Sequence, residues 1–405
     1  MNRRVLTLFA CLITMPAVCL IAQERLETGS KQPMPQEWID KDTGHKVVRL
    51  TGIEGSNSSF YFHNNPFIGN KMLFYNTSTN NGKQVYTVDL KTFQTKQVTS
   101  QQSPMKGEIV AHKAQEVVYQ IEDSVFATSV NTNKTRLLYV FPADFKATVS
   151  TLNADETVLA GRYSEGSEER EILKQYPQKG QYFNRIYDAK IANTLFTINI
   201  KTGELKKVHT ENTWLGHVQF SPTDKNILMF CQEGPWHKVD RIWTINIATS
   251  EVIKRHTRTM DMEIAGHEFF SPDGKIIWFD HQMPRSTTFY LTGVDLKSGT
   301  EKKYQLQRNE WSIHFNVSPD QKLFAGDGGD AGQVAKAQDG MWIYLFRPEG
   351  DNFKAERLVN MKAHGYKLEP NVHFSPDGKW VIFRANFEGE SQVYAVEINR
   401  ANKAS

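Results

Sequence analysis

Apolar and polar residues alternate along most of this chain in short runs, and each run is cut by a turn. Period-two alternation of this length argues for strands rather than helices. The clearest unit is AGHEFFSPDGKIIWF, residues 265–279. A strand carrying His267 enters the turn 271–274, and a second apolar strand leaves it. The unit recurs at Phe220-Ser-Pro-Thr-Asp, Val317-Ser-Pro-Asp-Gln and Phe374-Ser-Pro-Asp-Gly, and in weaker form at Phe67, Ala111 and Asn153. The apolar runs that follow are ILMF, IIWF, LFAG, WVIF, MLFY, VVYQ and VLAG, so the count is seven.

A second signature gives the same number independently. VYTVDL, VFATSV, LFTINI, IWTINI, YLTGVDL, WIYLF and VYAVEI each follow one member of the first set. All-β repeats roughly 40–50 residues apart are the mark of propeller blades. The fold class expected is all-β, a seven-bladed β-propeller. A single propeller over residues 45–400 would follow a lead-in over 23–44, with residues 46–50 pairing with the last blade to close the ring. One gap is too long. Residues 162–192 are charged and partly helix-like, and they read as an insertion in the third blade. Such an insertion forms a solvated loop or a wall over the centre, with Arg185 (and Arg162 and Arg170) as anion contacts.

Composition changes this picture little. Net charge is +3, from 48 basic and 45 acidic side chains, and no basic block follows the first few residues. This argues against a nucleic-acid partner and leaves acidic sugars open. Asn2-Arg3-Arg4, the apolar run 5–21 and Ala22 form a signal-peptide pattern over 1–22. The expectation is a periplasmic protein with no stable membrane span after cleavage, lipidation at Cys19 being the alternative. Beyond that segment only Cys231 remains, so no internal disulfide is available. HExxH, CxxC, P-loop and GxSxG patterns are all absent from the sequence.

Candidate chemistry emerges when the blades are aligned on the serine of the Ser-Pro turn and read four residues back. The positions are His217, His267, His314 and Asn371, with His63 by a looser alignment and Gly107 and Val149 in the remaining blades. This strand is the innermost of a propeller blade, so the positions converge on the axis. Gln219, Asn316 and His373 lie two residues further along the same face. Such a ring can hydrogen-bond channel water, hold a divalent metal, or supply a general base. The loop 231–243, CQEGPWHKVDRIW, adds His237, Lys238, Asp240 and Arg241, and arginine suits a carboxylate ligand.

The segments HVQFSPTDKNILMFCQEGPWHKVDRIW, GHEFFSPDGK, SPDQKLFAGDGGD and EPNVHFSPDGKWVIF resemble the oligogalacturonate lyases, in order, from about His45 to Ile398. The resemblance implies β-elimination on short 4-linked galacturonides, the pectin fragments. It implies that His267 is the base and that Arg241 binds and neutralises the uronate. His63, His217, His237 and Arg185 would line the substrate site. It implies a divalent ion, Mn²⁺ first with Ca²⁺ or Mg²⁺ as alternatives. His314 matches one ligand position, Glu369 and Asn371 occupy two positions where the family has histidines, and Tyr366 stands where it has glutamine. His373 is close enough in sequence to substitute. Two rivals stay open at this point: the same chemistry on another uronic-acid glycan, and a non-catalytic glycan-binding propeller of the TolB kind.

Overall fold

The Ser-Pro turns shape the hairpins by local hydrogen bonding. Ser271 Oγ donates to Asp273 Oδ1 at 2.7 Å and accepts the Ile276 amide at 3.0 Å. The Ser318–Asp320–Leu323 and Ser375–Asp377–Trp380 turns repeat both bonds. Gly274 closes the first of these turns at φ +68°, where a β-carbon would lie 2.2 Å from Thr223 Oγ1. Each turn therefore fixes its own geometry and sends the chain back antiparallel.

The computed structural model describes residues 24–79, 81–332 and 337–400. The signal segment expected over 1–22, with Cys19, lies outside the described residues. Strands dominate, and the two α-helices, Glu168–Gln175 and Lys179–Ala189, are short. The strands form six sheets. Residues 106–140, 148–211 and 215–254 each supply one four-stranded antiparallel sheet. Residues 56–97 supply a five-stranded one. An eight-stranded sheet over 264–360 divides into two four-stranded halves at one parallel pair, Gln305 with Asn352. The last sheet takes both ends of the chain. His45–Arg49 pairs with Glu390–Arg400, and Arg25–Leu26 and Glu37–Asp40 extend its edge. Two short strands of the expected lead-in, Arg25–Leu26 and Glu37–Asp40, thus join this sheet.

Apolar residues on facing sheets bury against one another. Phe62, Phe269, Trp278, Phe315, Phe324 and Tyr344 form one such cluster, and Trp38, Val47, Leu345, Phe383 and Tyr394 belong to another. The two helices lie between strands Val158–Ser164 and Asn193–Asn199. Phe183 meets Trp214 at 5.2 Å, and Tyr187 packs so close to Gly234 that a β-carbon there would lie 2.3 Å from its ring. The helix pair is therefore docked beside the loop carrying Trp236 and His237.

Candidate active site

The histidine positions are set by breaks in strand pairing. In the strand Leu215–Phe220 the register slips between Gly216 and Gln219, and in Ile264–Phe270 between Gly266 and Phe269. At these bulges His217 has φ 46° and His267 has φ 49°; Gly107, in the strand Lys106–Ala111, and Asn371, just before the strand His373–Phe374, adopt φ 63° and 53°. A left-handed residue costs about 1–2 kcal/mol without glycine, and bulges of this kind re-aim side chains. The glycine before each histidine makes room for an acid. A β-carbon on Gly216 would lie 2.7 Å from Glu233 Oε1, and one on Gly266 2.9 Å from Asp280 Oδ1.

His267 Nδ1 pairs with Asp280 Oδ1 at 2.9 Å. Burial works against the imidazolium, but the Asp280 charge and hydrogen bond outweigh it and raise the His267 pKa above its ordinary value. With Nδ1–H directed at Asp280, the lone pair sits on Nε2. The ring keeps 14 % side-chain exposure and lies 4.9 Å from the His314 ring and 5.5 Å from Trp236. His314 repeats the design: its Nδ1 meets Asp327 Oδ2 at 2.7 Å, while Nε2 faces the Tyr61 hydroxyl at 3.3 Å and Glu369 Oε2 at 3.7 Å. His63 is driven down to about 3 by burial, with His217, His373 and His314 adding to the effect, so it stands as a neutral imidazole.

Two cavities meet at His63 and Asn64, which line both. One, of 420 Å³, is walled by the Ser-Pro turns with Gln219, Asn316 and His373. The other, of 610 Å³, is lined by Tyr61, His63, His217, Lys83, Glu108 and Arg384 among others. The structure thus gathers His63, His217, His267 and His314 around Tyr61 and Phe62; the Phe62 ring is 4.8 Å from His314 and 6.3 Å from His267.

Other expected residues fall differently. Arg241 is 1 % exposed. It donates to Glu268 Oε1 at 2.5 Å and to both Glu233 oxygens, at 2.6 and 3.2 Å. Its guanidinium stacks over Trp236 at 5.0 Å. Burial alone would raise the Glu268 pKa, but Arg241 brings it to about 2. The three groups carry a net charge of −1, so Arg241 is engaged with protein carboxylates. His237 lines neither cavity, and its carbonyl accepts from Arg258. Arg185 lines neither cavity; it is exposed on its helix and stacks over Tyr176 at 4.0 Å.

The expected metal set does not converge. Asn371 Oδ1 accepts the Phe62 amide and its Nδ2 donates to the Glu369 carbonyl, at 3.0 and 3.1 Å. His373 Nε2 is held by the Phe60 carbonyl at 3.0 Å. Tyr366 is buried, its hydroxyl donating to the Asp327 carbonyl at 3.2 Å. Only His314 and Glu369 remain at a separation that a shared cation with bonds of about 2.0–2.2 Å could span. Elsewhere, His256 and His281 each place Nε2 on Glu263 Oε1, at 3.1 and 2.8 Å. Among the described residues this is the one group of three metal-ligating side chains with donor atoms within 4.8 Å of one another. Its outer nitrogens meet Glu301 and Thr292, so it is already a closed hydrogen-bond network between sheets.

Sequence reasoning missed Asp280, Asp327, Glu233, Tyr61 and Arg384. A signal for the first two existed. The Ser-Pro hairpins are symmetric about their turns, and reflection places an acid thirteen residues beyond each histidine, His267 to Asp280 and His314 to Asp327.

A histidine held by a carboxylate, joined through His314 to Tyr61 on the wall of a cavity that also carries Lys83 and Arg384, is an arrangement suited to abstracting a proton from an acidic ligand. Comparison with known proteins narrows this class. The profile of the oligogalacturonate lyase family matches residues 29–401. An oligogalacturonate lyase of Dickeya dadantii is 27% identical over 383 residues, covering 89% of this chain and 95% of that protein. An oligogalacturonide lyase of Pectobacterium atrosepticum is 25% identical over 395 residues, covering 91% and 98%. A solved oligogalacturonate lyase in complex with manganese superposes with a TM-score of 0.77 at 24% identity, covering 90% of this chain and 96% of that one. The chain belongs to the oligogalacturonate lyase family. It is a polysaccharide lyase of pectin-derived oligosaccharides.

Proposed function

We propose that the chain cleaves short 4-linked galacturonides by β-elimination, with His267 as the base. The observation that carries this reading is the His267–Asp280 pair in a chain of this family. Asp280 holds Nδ1–H, so Nε2 is free to take the proton at C5, α to the uronate carboxylate. The C5–H electrons form the C4–C5 double bond, and the C4–O bond breaks. The departing oxygen takes a proton, for which Tyr61, a cavity-wall hydroxyl that faces His314, is placed to serve as donor. His63, neutral at working pH, and His217 face the same cavity and suit sugar hydroxyls.

Arg241 fits a supporting role. It fixes Glu233 and Glu268 and backs Trp236, which packs on His267. Manganese in the superposed lyase supports a divalent ion in this family. In this chain the protein ligands reduce to His314 and Glu369, and no step is routed through an ion. The seven strand sets, five of them four-stranded, one five-stranded and one six-stranded, fit seven blades closed into a ring by the first and last strands, one domain over 45–400 with an insertion near 162–192. The amino-terminal pattern supports periplasmic location. The loss of convergence at Asn371 and His373 favours a second reading, the same elimination on another uronic-acid glycan. The test is ultraviolet absorbance of the unsaturated product from purified protein with digalacturonate, trigalacturonate and a panel of other uronides. Product from galacturonides supports the first reading; product only from another uronide establishes the second; silence across the panel refutes both.

A further inference from the structure

β-Elimination next to a carboxylate needs a positive group at that carboxylate, because the C5 proton is not acidic while the acid is anionic and uncompensated. Arg241 cannot supply it, being enclosed by Glu233 and Glu268. Two side chains with fixed positive charge line the 610 Å³ cavity, Lys83 and Arg384. Lys83 is paired with Glu108 at 2.9 Å. Arg384 is held differently. Its Nε donates to the Glu369 carbonyl at 2.7 Å and its Nη1 to the Ser59 carbonyl at 3.3 Å. Both acceptors are neutral. They orient the guanidinium and leave its charge in place. No ion pair among the described residues involves Arg384, and Nη2 makes no hydrogen bond there.

The surroundings match a sugar acid. Ser59, on the same wall, has a buried hydroxyl with no hydrogen-bond partner. The Glu369 residue that anchors Arg384 reaches His314 with its side chain, and His314 packs on His267. The cation is thereby tied through three contacts to the base. Burial weighs against the charged guanidinium more than the longer-range attraction of the Glu369 and Asp327 carboxylates favours it, so a half-buried charge with no direct ion pair is costly to keep. An anionic ligand resolves that cost, and the planar fork of arginine fits a carboxylate through two parallel bonds.

We propose that Arg384 is the uronate-carboxylate site of this cavity, receiving the acid group of the sugar whose C5 proton is removed. This inference rests on the lyase reading for its substrate, and the site it names is independent of any metal. The test compares trigalacturonate with its methyl ester, in wild type and in Arg384→Gln. Wild type should lose about 10- to 100-fold in kcat/KM for the free acid on substitution, with the ester little changed. Arg384→Lys should fall between, because it keeps the charge and loses the fork; it also carries the comparison if Arg384→Gln fails to fold. An acid-to-ester ratio equal in wild type and variants overturns the proposal. Calorimetric titration with galacturonate separates the two readings. Binding lost in the variant while wild type shows no turnover keeps the carboxylate site and removes the lyase reading. Binding undiminished in the variant removes the site even where turnover is normal.

Discussion

Asp280→Asn isolates the feature on which the proposed chemistry depends. Asp280 makes the 2.9 Å bond to His267 Nδ1 and lies on the strand Ile276–Gln282 beside Gly266. The substitution changes two things without changing size. It removes the charge that holds the His267 pKa above its ordinary value, leaving burial to lower it. It also introduces an N–H donor. An amide turned toward Nδ1 moves the ring proton to Nε2, which removes the base lone pair. The two effects together should lower kcat by about 10²–10⁴-fold. KM should change little, because Asp280 lines neither cavity. The sign of the pH effect follows from the direction of the shift. A base with a raised pKa loses activity as pH falls through that pKa, so the residual rate of the variant should hold to lower pH than wild type. Initial rates of product absorbance between about pH 5 and 9 measure both quantities. A variant within about threefold of wild type, or an acidic limb that does not move, would refute the reasoning.

Gly266→Ala should act on the same pair by steric means. Its β-carbon would fall 2.8 Å from Trp236 and 2.9 Å from Asp280 Oδ1, so activity should drop at least about tenfold with circular dichroism unchanged; full activity would contradict the packing. Arg241→Ala leaves Glu233 and Glu268 buried without a partner, and should cost about 3–5 kcal/mol of stability in denaturant melts. A stable but inactive variant would restore a direct role in chemistry. Chelator should leave a measurable rate on galacturonides, since only two protein ligands face each other at His314 and Glu369; complete loss restored by Mn²⁺ would show that the ligand set closes with substrate bound.

The parts of this structure visible in the sequence are those governed by neighbours in the chain. Ser271, Ser318 and Ser375 close their turns with the aspartate two residues on, so the hairpins could be counted directly. His267 and His314 stood out because the same turns fix their distance from the bend. Three things resisted. The left-handed bulges at His217 and His267 depend on cross-strand pairing, which alternation does not encode. One partner of Arg241, Glu233, lies eight residues back in the same loop and the other, Glu268, comes from the neighbouring sheet, so a loop arginine read as a ligand contact is in fact enclosed. Glu369 and Asn371 were placed at ligand positions by the family resemblance, yet the Asn371 side chain is held by the Phe62 amide and the Glu369 carbonyl, contacts that no motif encodes.

The central claim is that His267 removes the proton, and one comparison tests it most directly. Wild type and His267→Ala, each shown to be folded by circular dichroism, are given trigalacturonate, and the absorbance of the unsaturated product is followed. The account predicts a steady rise with wild type and a rate about 10²–10⁴-fold lower with the variant. A His267→Ala protein that retains more than about a tenth of the wild-type rate would contradict it.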